Sequence, residues 1–198
     1  MTPAEAWSAV VAGEDAAIFG YSVAGARVGT DDRRAALAGL ESHRSSRDRA
    51  AAAVVATGGT PPAAAASYQL PFRAGSPARA RDLMAVLDNA LVGPYADAAA
   101  ATRPDLVIHV GDFHYRESAC APGNAGCAGS PWGYGWDAWQ ADLFDPARNL
   151  MAAAPWVVTR GNHESCNRAG QGWFRFLDPR PVAPRQDCNL SLIHISEP

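Results

Sequence analysis

Two short apolar runs, each closed by a glycine, organise the second half of the chain. Leu106 to Val110 (LVIHV) and Trp156 to Thr159 (WVVT) are β-branched and aromatic, follow a proline and end in a glycine turn, which predicts two buried strands. Upstream, Leu83, Met84, Val86, Leu87 and Leu91 recur at helical spacing within 78–92, and Gly93-Pro94 predicts the end of that helix. A second short helix is expected over 95–102, stopped by Pro104. Val54-Val55-Ala56, breaking into Thr57-Gly58-Gly59-Thr60-Pro61, reads as a further short strand. The order from residue 54 is then strand, helix, strand: the βαβ unit of a parallel sheet with a right-handed crossover, so the expected fold class is α/β. Trp136, Trp139 and Leu143, at i, i+3 and i+7, predict a helix packed on the sheet, and Asp145-Pro146 caps another through Ala153.

The first half reads differently. Ala35 to Ala53 has helix-forming composition but no clean apolar stripe, and Arg44, Arg47 and Arg49 fit a solvated face or a poorly ordered arm better than a polyanion-binding patch. The expected division is an Ala/Arg-rich segment over 1–53, a partial α/β domain over 54–189, and a tail over 190–198. That tail, LSLIHISEP, matches the translation of a transposase adapter used in sequencing libraries, so it is excluded from fold reasoning and His194 is no ligand.

Composition narrows the partners. A formal charge of −3 argues against nucleic acid or an anionic membrane as the main partner, and no stretch is apolar for long enough to span a bilayer. Met1 to Gly20 lacks a basic start followed by an apolar core, so no secretory signal is visible. Cys120 and Cys127 bracket a loop of small residues and are expected to form a disulfide; Cys166 and Cys188 are a second candidate pair. Disulfides favour a periplasmic or secreted setting, which conflicts with the missing signal and suggests that the natural protein begins upstream.

The chemistry begins where the two strands end. In an open α/β sheet the loops leaving neighbouring strands converge on one crevice, so Asp112, after Gly111, and Asn162, after Gly161, are expected side by side. One carboxylate and one amide oxygen suit a hard or borderline cation. His163 would face a substrate. Glu164 and Asp105 read as carboxylates that orient these groups or start a turn. His114 reads either as a substrate contact or as an exposed loop residue. Arg168 and Arg175 could reach a phosphate, although a surface role is the plainer reading. Trp132, Trp136 and Trp139 read as packing for the segment between the motifs rather than as substrate contacts.

The runs Gly111-Asp112 and Gly161-Asn162-His163-Glu164 together resemble the calcineurin-like metallophosphoesterases, two-metal hydrolases of phosphate esters. The GDxxY form of Asp112 to Tyr115 is similar to the purple acid phosphatase branch. The resemblance is strong over about 104–179 and weak over 54–103. It implies a β-sandwich flanked by helices, of which this chain would hold only the N-terminal βαβ part. It also implies that Asp112 bridges two metals, iron paired with iron, zinc or manganese. Tyr115 would give a phenolate to a ferric ion, Asn162 would bind the second metal, and His163 would meet the phosphate of a small-molecule or protein phosphoester. The family's first aspartate is expected where Gly58-Gly59-Thr60 stands, and its later histidines, one alone and a pair in Gly-His-x-His, are not found before Asn189. The chain as written is therefore expected to be inactive or nearly so. A non-catalytic module that keeps the fold, and a chimeric reading frame, are the other readings.

Overall fold

Thr2 starts the first helix. Its hydroxyl accepts from the Glu5 amide and the Glu5 carboxylate accepts from the Thr2 amide, a reciprocal cap ahead of Pro3. In the computed structural model, which describes residues 1–180, 183, 187 and 188, α1 (Pro3–Gly25) is followed by α2 (Thr30–Ala56) and α3 (Pro77–Ala101). Ser76 caps α3 by accepting from the Arg79 amide. With Ala121–Ala128 these helices make one unit; Pro104–Cys120 and the described residues from Gly129 onward make another.

In the helical unit α1 packs against both α2 and α3, so it buries residues around most of its circumference: Ala6, Val10, Val11, Ala17, Gly20, Tyr21 and Ala24. A helix enclosed on two sides carries no single apolar stripe. Residues 1–53, where the sequence pointed only to a helix-like stretch from Ala35, therefore hold α1 and most of α2. Val54 to Ala56, expected as a strand, form the last turn of α2. Val54 closes a cluster with Ala6, Val10, Val11, Ala50 and Ala98, and that packing overrides its β propensity. Gly58, at φ 82°, ends α2 in the left-handed region, so no strand precedes the Gly59 position.

Pro94 does not end α3. The helix runs through it, and the roughly 3 kcal/mol that an interior proline costs is offset by burial on either side, at Leu91 and Ala98. A polar chain also links the three helices. Tyr95 Oη donates to Glu14 Oε1 (2.6 Å), His43 Nδ1 meets Glu14 Oε2 (2.7 Å) and His43 Nε2 meets Asp88 Oδ1 (3.1 Å), while Tyr21 Oη donates to Asp88 (2.9 Å). Burial, then the hydrogen bond to Glu14, push the Tyr95 phenol up to about 12.

The second unit is built on β1 (Val107–His109) and β2 (Trp156–Val158), paired in parallel with Val107 opposite Trp156 and His109 opposite Val158. Between them lie α4 (Trp136–Trp139), a π-helical turn (Gln140–Phe144) and α5 (Arg148–Ala153); α6 (Gly170–Phe176) follows β2. The crossover from β1 to β2 is thus the aromatic insertion. The expected pairing of β1 with a strand near residue 54 does not occur. Trp139, Trp173, Phe113, Leu143, Ala147 and Ala169 form the core, with Trp156 and Val158 packed against it. The strands were expected to be buried. Instead Ile108 is 65 % and Val157 48 % exposed, because among the described residues only one face of this two-stranded sheet is covered.

All four cysteines are disulfide-bonded. Cys166 is joined to Cys188, the second of the two expected pairs. No described helix is long and apolar enough to cross a membrane. The tail from 190 to 198 lies outside the described residues.

Candidate functional site

The two loops leaving β1 and β2 are pressed together at their glycines. A Cβ on Gly111 would stand 2.3 Å from the Gly161 nitrogen, and one on Gly161 would stand 2.2 Å from Asp112 Oδ1. Only residues without side chains permit that approach. Gly111 (φ 98°) and Asp112 (φ 58°) both occupy the left-handed region. Aspartate tolerates this region better than most residues, and strain of this kind clusters at functional sites.

One side chain clamps the pair. Glu164, 0 % exposed, accepts four backbone N–H bonds: from Asp112 (2.8 Å) and Gly161 (2.9 Å) at Oε2, and from Phe113 (2.7 Å) and His114 (3.2 Å) at Oε1. Arg160 donates through Nε and Nη2 to the Glu164 carbonyl (3.1 and 2.6 Å) and lies over the Trp173 ring, which fixes the turn that carries the clamp. Further along the first loop, Asp142 on the π-helical turn accepts from the Tyr115 and Arg116 amides (2.7 and 2.9 Å). At the end of β1, His109 stacks on Phe113 at 4.0 Å and its Nδ1 accepts from the Gly111 amide (3.3 Å). Burial holds its imidazole below the usual range, in keeping with an accepting nitrogen.

This frame brings together Asp112, Asn162, Tyr115 and His163. The terminal amide group of Asn162 lies 3.2 Å from Asp112 Oδ2 and, on its other side, 3.2 Å from Arg168 Nη1. The His163 amide donates to Asp112 Oδ1 (3.0 Å). The Tyr115 ring lies 4.2 Å from the His163 ring. Burial first, then the charge and hydrogen bond of Asp112, push that phenol up. His163 Nδ1 lies 2.9 Å from Glu117 Oε1 and 3.0 Å from the His114 carbonyl. Arg168 grips Glu117 through Nε (3.1 Å) and Nη2 (2.5 Å).

His114 goes elsewhere. It is 0 % exposed, its Nε2 lies 2.8 Å from the Gly133 carbonyl, and its ring stacks on Trp139. The structure thus puts it under the loop, away from any solvent-facing ligand. Arg168, expected to reach a phosphate or, more plainly, to lie at the surface, stands beside Asn162, and nothing in the sequence singles out Glu117. Glu117 lies five residues beyond Asp112 with no spacing that marks it, and only the folded loop brings it to His163.

The donor set suits a hard cation: a carboxylate, a carboxamide and a phenol, all offering oxygen. Oxygens about 3 Å apart are what two ligands of one small cation make. The Asn162 amide has two orientations here. With nitrogen toward Asp112 and oxygen toward Arg168, both hydrogen bonds form. With oxygen toward Asp112, two acceptors face each other, which is favourable when a cation lies between them. These residues therefore fit part of a metal shell. Among the described residues no three His, Cys, Asp or Glu side chains converge to hold a metal ion.

Parallel strands thus bring the GD and GNHE loops together at their C-terminal ends. The chain belongs to the calcineurin-like phosphoesterase family, which it matches over residues 75–194. Residues 6–109 also match a domain of unknown function, DUF4439, so 75–109, containing α3 and β1, is common to both matches. No curated protein matches the chain, and no solved structure does. The match is to the family as a whole and does not single out the purple acid phosphatase branch.

Proposed function

We propose that this chain carries part of a two-metal centre that hydrolyses phosphate esters, with Asp112 and Asn162 as metal ligands and His163 as the residue facing the phosphate. The observation that carries the reading is the 3.2 Å approach of the Asn162 amide to Asp112 Oδ2 across loops fifty residues apart in sequence. A pair of metal ions, iron with iron, zinc or manganese, would supply Lewis-acid chemistry: activation of the water nucleophile and neutralisation of charge growing on the phosphoryl oxygens. Asp112, with two carboxylate oxygens, would be one of the residues that hold the pair. Asn162 completes a shell without adding negative charge that would repel the substrate. His163 can donate to a phosphoryl oxygen or protonate the leaving alkoxide through Nε2, while its Nδ1 side is held by Glu117 and the His114 carbonyl.

The finer reading is a purple acid phosphatase-like centre with Tyr115 as phenolate on a ferric ion. Its support is the place of the Tyr115 ring, 4.2 Å from the His163 ring, on the loop that carries Asp112. A ferric ion held there would supply positive charge that favours the phenolate form of Tyr115. His114, if it aids substrate binding, does so by shaping the loop beneath the site. The substrate is a small-molecule or protein phosphoester, and the disulfides fit a periplasmic or extracellular setting. A second reading, a non-catalytic module that retains the phosphoesterase fold, is favoured by the absence of three converging His, Cys, Asp or Glu side chains among the described residues.

Hydrolysis of an aryl phosphate separates the two readings. Metal-dependent turnover is expected to fall at least about a hundredfold in Asn162→Ala and in His163→Ala, the scale of losing one preorganised contact. Near-normal rates in both variants would move the site elsewhere, and no metal-dependent turnover in the unmutated protein would favour the binding module.

A further inference from the structure

Resting on that reading, we propose that Arg168 is the anchor for the anionic group of the ligand, that Glu117 is its positioning residue, and that cation binding at Asp112 and Asn162 releases it for that task. Arg168 lies between Asn162 and His163: Nη1 stands 3.2 Å from the Asn162 amide group and Nη2 2.8 Å from His163 Nδ1. Nε and Nη2 are committed to the two oxygens of Glu117. This fork-to-fork pairing fixes the plane of the guanidinium and leaves Nη1 directed at the Asn162 side chain.

The release follows from the Asn162 amide. In its hydrogen-bonded orientation the oxygen accepts from Arg168 Nη1 and the nitrogen donates to Asp112. A cation that takes the Asn162 oxygen turns that oxygen away from Arg168, and Nη1 loses its acceptor. Its N–H bonds are then directed toward the metal side of the site, where a phosphate oxygen can accept them. The charges require the same order of events. Asp112 and Glu117 outnumber the single guanidinium, so an anion is repelled until a cation is in place. Cation and anion are thereby coupled, each raising the affinity of the other.

The test uses the full chain with two probes, Mn2+ followed by electron paramagnetic resonance and inorganic phosphate followed by calorimetry, each with and without the other. Phosphate affinity is expected to rise at least about tenfold when Mn2+ is present, a coupling within the usual range. Arg168→Gln should abolish that rise, and Arg168→Lys, which keeps charge without the fork, should retain only part of it. Glu117→Gln should weaken phosphate about three- to tenfold while leaving Mn2+ affinity alone; a merely structural role would weaken both. Arg175→Gln serves as the neighbouring cation control. Mn2+ binding with phosphate affinity unchanged in both Arg168 variants would overturn the proposal and leave the metal site standing. Absence of phosphate binding in the unmutated, Mn2+-loaded chain would overturn it as well, and absence of Mn2+ binding would overturn the metal-site reading along with it.

Discussion

Replacing Glu164 by alanine is expected to unfold the segment around the two strands. Its carboxylate is fully buried and is the acceptor for the amides of Asp112, Phe113, His114 and Gly161. Removing it strands four donors, three of them on a loop whose left-handed turn at Gly111-Asp112 has to be held in place. A buried donor left unsatisfied costs about 1–3 kcal/mol, and four of them approach the whole stability of a small domain, about 5–15 kcal/mol. Trp139, Trp156 and Trp173 lie in or against the core beside these loops, so the near-ultraviolet circular dichroism of this unit should collapse. The far-ultraviolet signal of α1, α2 and α3 should persist, since their clusters are built within the helical unit. Glu164→Gln preserves shape but turns one acceptor into a donor, and an intermediate loss is expected. A full near-ultraviolet signal in Glu164→Ala would show that the clamp is dispensable.

Gly161→Ala is expected to abolish cation binding without unfolding the helical unit. The added Cβ would meet Asp112 Oδ1 at 2.2 Å and the Asp112 amide nitrogen at 2.3 Å. The carboxylate could rotate away from the first clash. The second is with backbone, so the GD loop itself must move. Either response takes Asp112 from Asn162, and Mn2+ affinity should fall about a hundredfold or more, the loss of one carboxylate ligand in geometry that tolerates little error. Affinity within threefold of the unmutated chain would mean that the glycine contact does not set the position of Asp112.

These two residues show what local pattern can and cannot reveal. The strands, the glycine turns and the side-by-side placement of Asp112 and Asn162 were legible because each depends on a few consecutive residues and on the topology of parallel strands. The clamp was only partly legible: a glutamate after Gly-Asn-His gives no sign that its partners are amides fifty residues earlier. Glu117 and Arg168 were hidden for the same reason, since neither spacing nor composition marks a pair that meets only across two loops. In the first half the misreading has a different origin. α1 is enclosed by helices, so its alanine-rich surface shows no stripe. At Val54 and Pro94 helix packing prevails over residue preferences that point to a strand and to a helix stop. The expected strand–helix–strand order therefore gives way to three helices ahead of β1, in a region shared by the two family matches.

The central claim is that the loops leaving β1 and β2 hold a cation between the Asp112 carboxylate and the Asn162 amide oxygen. Anomalous diffraction from crystals of the chain soaked in Mn2+ tests it most directly. The expected result is a peak within ligand distance, about 2.0–2.3 Å, of both oxygens, with the Asn162 nitrogen turned toward Arg168. A peak elsewhere, or Asp112 and Asn162 still hydrogen-bonded to each other at saturating Mn2+, would contradict it.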